Sequence, residues 1–258
     1  IIERLQQHKD LQPYKIALIV DEEQYTYGQL YDAIISMEFN NTSRIINLGQ
    51  VNDGQKNKVL LIQSLSFVEQ LLQWLWGLYK GDIPMVCHNE MDVAYIDELA
   101  RIISVEGVPT SADFGVLTSG TTGRPKPLWR SERSWREFFD TQNNIFHINK
   151  DTNIFLHGSF SFTGVSNMVI GVLWSGGTVI TTSSLRPNRW IQLIETYHVD
   201  HIYTLPTKLR LLVRHCKSKL DSINYIIAGS QVLDRQLMKQ LELICPNMEF
   251  ILYYGASE

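Results

Sequence analysis

A chain of 258 residues with a formal net charge of -4 presents no broad basic field, which excludes nucleic acid as an expected partner. Hydrophobic residues make up 44% and charged residues 19%, the balance of an ordinary globular chain. At this length such a chain buries on the order of 70–75% of its unfolded surface. Cys87, Cys216 and Cys245 are odd in number, far apart and outside any CxxC pair. They predict neither a disulfide framework nor a zinc site, but small buried apolar residues in a reducing compartment.

The opening IIERLQQHKD is charged and lacks the apolar stretch of a secretory signal, so a cytoplasmic protein is expected. The most apolar window, 59–79, is interrupted by Gln63, Glu69, Gln70 and Gln73, too polar for a transmembrane segment. It predicts a strand over 59–62 and an amphipathic helix over 67–79 that ends at Gly81. Next comes LTSGTTGRPK, 117–126, where Gly120, Gly123 and Pro125 weaken both helix and strand and so predict a loop. Converging backbone N–H groups, four hydroxyls and the Lys126 ammonium describe a seat for phosphate oxygens.

From residue 153 the hydrophobic periods alternate. Strands are predicted over 153–156, 178–181, 201–205, 224–228 and 248–253, and helices over 164–174, 189–197, 207–216 and 234–245. In the last helix Asp234 is the expected N-cap, Leu237, Met238, Leu241 and Ile244 share one face, and Pro246 lies just beyond the end. This alternation predicts an α/β fold of layered, largely parallel sheets flanked by helices, with ligands at the carboxyl ends of strands.

The string TSGTTGRPK resembles the phosphate-loop signature of the acyl-adenylate-forming, or AMP-binding, superfamily of acyl-CoA synthetases, peptide-synthetase adenylation domains and luciferases. It is not the GxxxxGK[ST] loop of kinases, since prolines flank Lys126 on both sides. KIALIVDEEQYTYGQL, HIYTLPTKLRLLV, IIAGSQVL and YYGASE resemble further blocks of that superfamily in the same order, so the likeness runs along the whole chain. It implies the large N-terminal domain of an acyl-CoA synthetase. A first subdomain is expected over 1–110, shortened between Pro84 and Thr118, and a second over 111–258 with the phosphate loop and adenine site.

Residue by residue, the resemblance implies that Thr118, Ser119, Gly120, Thr121, Thr122, Gly123 and Lys126 cradle the β- and γ-phosphates of ATP. Gly229, Ser230 and Gln231 would lie against adenine, and Tyr254, followed by Gly255, would stack on it. Ser257, where the superfamily usually has Thr, would hydrogen-bond the α-phosphate, and Glu258 would hold Mg²⁺. Taken singly, Tyr254 reads as a core tyrosine and Glu258 as a solvated charge. Lys126, Ser257 and Glu258 are the implied catalytic residues. The later motifs of the superfamily, a ribose-binding Asp, a hinge and a lid with a second Lys, do not occur before Glu258, so a fragment of a longer enzyme, inactive by itself, is expected.

The resemblance also bears on the substrate. Amino-acid-activating members have Ser-Phe-Asp where this chain has Thr163 after Phe162, and a substrate ammonium without its carboxylate partner costs several kcal/mol. A small carboxylic acid, fatty or aryl, is therefore expected, with Phe162 and Thr163 on its side of the site and coenzyme A as the acceptor thiol. A carrier protein as acceptor, or a nucleotide-binding relative without turnover, are the alternatives. His147, His157, His198 and His201 are read as packed or exposed, with no catalytic role.

Overall fold

The computed structural model describes residues 1–38, 43–48, 58–118, 126–229 and 234–255. Helix α1 (Ile2–Leu11) leads into β1 (Ile16–Val20) and β2 (Glu23–Thr26), an antiparallel pair. Helix α2 (Tyr27–Ser36) starts on a reciprocal cap, in which Gln29 N–H donates to Thr26 Oγ1 and Thr26 N–H to Gln29 Oε1. Then come β3 (Arg44–Asn47), β4 (Lys58–Ile62), α3 (Phe67–Lys80), β5 (Ile83–Val86), α4 (Val93–Glu106), β6 (Phe114–Leu117), β7 (Pro127–Arg130) and α5 (Glu132–Ile145). Helix α3 ends at Gly81, whose φ of 72° is left-handed and strained for a residue with a Cβ.

The remainder is the expected alternation: β8 (Asn153–Leu156), α6 (Thr163–Ser175), β9 (Thr178–Thr181), α7 (Pro187–Thr196), β10 (His201–Thr204), α8 (Pro206–His215), β11 (Tyr225–Ala228), α9 (Arg235–Ile244) and β12 (Glu249–Leu252). Pro187 and Pro206 stand in the first turn of α7 and α8, which therefore begin slightly earlier than hydrophobic periodicity alone predicts.

Two sheets result. The seven-stranded sheet has the order β12-β11-β10-β8-β9-β1-β2, and the five-stranded sheet β3-β4-β5-β6-β7. Parallel pairing fills the interior of both, and antiparallel pairs stand at β1/β2, β3/β4 and β6/β7. The period-2 alternation of each strand then assigns layers. Ile19, Phe155, Ile180, Ile202 and Ile226 face α7, α8 and α9 on one side of the larger sheet. Val59, Leu61, Ile83 and Met85 face α4 on the outer side of the smaller sheet. The inner faces, with Leu18, Ile154 and Val179 from one sheet and Leu60, Ile62 and Phe114 from the other, close on α1, α2, α3, α5 and α6 between them.

The sheets take interleaved pieces of chain. Residues 16–26 join 153–252 in the larger sheet and 44–130 build the smaller, whereas the expected division lay at residue 110. The reason is strand pairing between distant segments: β1 lies parallel to β9, with Leu18 opposite Val179, and Thr178 Oγ1 donates to Ile16 O at 2.7 Å. The β6/β7 hairpin likewise keeps 127–130 beside β5 and β6. Cys87 and Cys245 are buried free thiols, both pushed up to about 12 by burial.

Candidate active site

The phosphate-loop sequence is the connection of the β6/β7 hairpin, and its two ends are clamped. Thr118 N–H donates to Lys126 O at 3.0 Å, and Lys126 N–H donates to Thr118 Oγ1 at 2.9 Å. Leu117 pairs with Pro127 directly beneath. Strand pairing thus fixes where the loop starts and ends, and the threonine side chain closes it. The Lys126 side chain is exposed. Ser119, Gly120, Thr121, Thr122 and Gly123 lie outside the described residues, as do Ser230, Gln231, Ser257 and Glu258.

The segment after β8, 157–162, carries Phe162 at the N-cap of α6, with Thr163 as the first residue of that helix. Phe162 is 52% exposed, and its ring lies on His88 at 5.0 Å and 30°. His88 follows β5, and its Nδ1 is 3.0 Å from Ser161 Oγ. Ser161 Oγ is 2.8 Å from Ser159 Oγ, which donates to Gln70 Oε1 at 3.1 Å. Gln70 is only 1% exposed, and its Nε2 donates to Ser64 O and Asn89 Oδ1. Burial holds the His88 pKa below its usual value, opposed by a hydrogen-bonding contact with the Thr118 backbone. The ends of β4, β5 and β8 are thereby joined through polar side chains.

The other wall is aromatic. Tyr203 and Tyr253 meet hydroxyl to hydroxyl at 2.5 Å with rings 6.1 Å apart, and burial is the first cause that raises both phenol pKa values. Gly164 and Gly229 lie against this pair. A Cβ at Gly164 would fall 2.6 Å from Tyr203 OH, and one at Gly229 would fall 2.7 Å from the Tyr253 ring. The close approach at Gly229 is thus made here by Tyr253, a residue the sequence does not single out. Tyr254, the next residue, is 95% exposed, and Gly255 follows it.

Of the four histidines read as non-catalytic, His201 is buried between Asp200 and Phe146 O, His147 lies flat on Tyr225 at 4.5 Å, and His198 is exposed in the turn after α7. His157 sits nearer the cleft. Its Nε2 donates to Ser184 O at 3.1 Å, and burial, then the Lys208 charge, lowers its pKa to about 4. Lys208 donates to His157 O at 2.6 Å, and burial lowers its pKa as well. Neither this pair nor Gln70, His88, Ser159 and Ser161 is apparent from motifs. The one available signal was the glutamine at position 70, a buried-face polar residue that interrupts an apolar helix.

A hairpin phosphate loop and an aromatic wall, both at the carboxyl ends of strands in a doubly layered α/β fold, define a nucleotide-handling class of protein. Residues 109–258 match the AMP-binding enzyme family, and the chain belongs to that family. It is 25% identical over 284 residues to a protein of Staphylococcus epidermidis named long chain fatty acid-CoA ligase VraA, and covers all of this chain but 59% of that relative. Its fold superposes on the luciferase-like enzyme of the mealworm Zophobas morio with a TM-score of 0.78 at 15% identity, over 100% of this chain and 72% of the other. It also superposes on the O-succinylbenzoate coenzyme A synthetase of Bacillus subtilis, solved with ATP and magnesium ion, with a TM-score of 0.75 at 15% identity, over 99% and 60%. At such identities the structural likeness establishes the fold. Among the described residues no helix is long and apolar enough to cross a membrane.

Proposed function

We propose that this chain is the nucleotide- and acid-binding part of an AMP-forming acid–thiol ligase. A carboxylate oxygen attacks the α-phosphorus of ATP, the bond from that phosphorus to the bridging oxygen breaks, and pyrophosphate leaves with the electron pair. The thiol sulfur of coenzyme A then attacks the acyl carbon, the carbon–oxygen bond to AMP breaks, and the thiol proton passes to solvent. The single observation behind this reading is the clamped hairpin, Thr118 to Lys126, within the family-matched segment. The protein's part is positioning and charge neutralisation.

In this reading the 118–126 loop holds the β- and γ-phosphates, Gly229, Ser230, Gln231, Tyr254 and Gly255 hold the adenosine, and Ser257 meets the α-phosphate. Mg²⁺ supplies charge neutralisation on the phosphates, and Glu258 would hold it. Among the described residues no group of three His, Cys, Asp or Glu is placed to bind a metal ion, and an ion carried mainly on substrate phosphates requires none. A fatty or aryl acid is favoured by the exposed Phe162 ring, by Thr163 in place of a carboxylate, and by the name of the staphylococcal relative.

Acid-dependent pyrophosphate exchange by the full-length protein tests this, with aliphatic, aryl and α-amino acids offered in turn. Exchange is expected with aliphatic or aryl acids. Efficient exchange with an α-amino acid would reverse the substrate assignment, and no exchange with any acid would overturn the activity.

A further inference from the structure

An aromatic ring that is half in solvent has more than one staggered rotamer open to it, and Phe162 is restrained from two directions. Its ring lies on the His88 imidazole, centroids 5.0 Å apart and planes 30° from parallel, so one face is covered by a residue that follows a strand of the other sheet. Its backbone closes a turn in which Phe162 N–H donates to Ser159 O at 3.2 Å and Ser161 N–H to Ser159 Oγ at 3.3 Å. That turn is tied to α3 by Gln70, whose Oε1 accepts from Phe160 N–H at 3.2 Å and from Ser159 Oγ at 3.1 Å. Gln70 is itself held at Nε2 by Ser64 O at 2.6 Å and Asn89 Oδ1 at 2.8 Å. Phe160 adds packing to the tie, buried against Phe67 and Trp74 of the same helix. The 3.0 Å contact between His88 Nδ1 and Ser161 Oγ closes the circuit, fixing imidazole and turn against each other.

We propose that His88 is a positioning residue for the acid: it pins the Phe162 ring in one rotamer, and the uncovered part of that ring then sets which acid shapes the site accepts. This rests on the acid-activating function proposed above, in which Phe162 stands on the acid's side. A wall free to swing aside accommodates acids of several shapes, whereas a pinned wall discriminates among them. The turn matters as much as the stacking, because a ring resting on an imidazole fixes nothing unless its own backbone is held, and Gln70 holds it from inside the core. One ring-on-ring contact is enough to change such a preference by roughly 2- to 10-fold.

Two measurements on the full-length protein test this. With para-fluorophenylalanine incorporated at position 162, fluorine NMR reads the ring directly: His88→Ala should move the resonance toward that of the label in the unfolded chain, and an unmoved resonance overturns the positioning. Acid-dependent pyrophosphate exchange reads the consequence. His88→Ala should narrow the spread of kcat/KM between the best and poorest accepted aliphatic and aryl acids by roughly 2- to 10-fold, through the KM of the acid, with the KM of ATP unchanged. His88→Phe and Ser161→Ala each keep a ring on Phe162 and cut only its bond to the turn, so both should narrow the spread less than His88→Ala, and they serve as the test if His88→Ala does not fold. An unchanged spread in these variants, or a KM of ATP that rises as much as that of the acid, overturns the inference while the native exchange leaves the acid-activating function standing. No exchange with any acid in the native protein overturns that function, and the role of His88 toward the acid with it.

Discussion

The two sheets meet at one cleft and furnish it differently. The five-stranded sheet reaches it through hydrogen bonds: the Thr118–Lys126 clamp, His88, and Gln70 from the helix packed on it. The seven-stranded sheet reaches it chiefly through rings and missing side chains, with Tyr203 and Tyr253 in contact and Gly164 and Gly229 leaving room for them. Directional bonds fix positions to a few tenths of an ångström, whereas ring contacts tolerate sliding. Under the function proposed above, holding a polyphosphate in register and admitting an apolar acyl group would call for one wall of each kind.

Phe114 of β6 is fully buried in the core that the two sheets share, with Trp135 at 4.6 Å and Trp74 at 5.1 Å, and Trp74 in turn contacts Phe160 beyond β8. Breaking this shared core should have the largest effect of any single change considered. Phe114→Ala should cost about 3–5 kcal/mol in denaturant unfolding, the range for a large aromatic in a core that cannot collapse. A loss below about 1.5 kcal/mol would show that the two walls are supported separately, since that is what a volume-conserving swap costs.

Lys126→Ala breaks the polar wall alone. A hydrogen bond to a charged group contributes about 1.5–3 kcal/mol, so ATP affinity should fall roughly 10- to 100-fold in calorimetric titration. AMP has no β- or γ-phosphate and should lose much less. Equal losses for ATP and AMP would remove Lys126 from the phosphate seat.

How much of each wall was legible follows from the same contrast. The seven-stranded sheet could be read from residue 153 onward because short β-branched strands such as TVIT, 178–181, alternate with amphipathic helices, the last of them capped by Asp234. Its first two strands were not read from any local signal, since nothing in the 15–30 segment tells β1 that its neighbour is β9, over 150 residues away. The loop between Leu117 and Pro127 was legible as a motif, whereas the hydrogen bonds that join its ends at Thr118 and Lys126 were not. The Gln70–Ser159–Ser161–His88 chain was not, because its members are common polar residues from three separate segments whose meaning appears only when strand ends are brought together. Gln70 and Gln73 were read as reasons against a membrane span, which is the exposed half of a fact whose buried half is the network.

The aromatic side carries a pH dependence that the polar side can be compared with. His157 has a folded pKa of about 4, below its ordinary value, so the unfolded chain binds more protons in the interval between them. Its contribution to stability is complete above the unfolded value and is lost as pH falls through about 4. His157→Gln keeps a donor for Ser184 O and removes the titration, so the fall in urea midpoint between pH 7 and pH 4.5 should be smaller in the variant than in the native chain. An unchanged fall would assign the acid sensitivity to other groups, among them His8 and His88, whose pKa values burial also lowers.

The smallest effect tests whether the outer layer of the seven-stranded sheet depends on local capping as much as on packing. Asp234 accepts from Leu237 N–H at 2.7 Å at the start of α9, and its other oxygen meets Arg210 of α8 at 2.5 Å. Asp234→Ala loses both, and should cost about 0.5–2 kcal/mol, most of it from the cap. Asp234→Asn retains a capping oxygen and gives up only the ion pair, which is half exposed at both ends and contributes between about 0 and 1 kcal/mol. Arg210→Ala should match Asp234→Asn, and in the Ala/Ala double variant the two losses should be less than additive by the worth of the pair. Urea unfolding of the four proteins gives the cycle. If Asp234→Asn proves as costly as Asp234→Ala, the charge and not the cap secures α9, and the layer is held from α8 across to α9 instead of by the helix's own first turn.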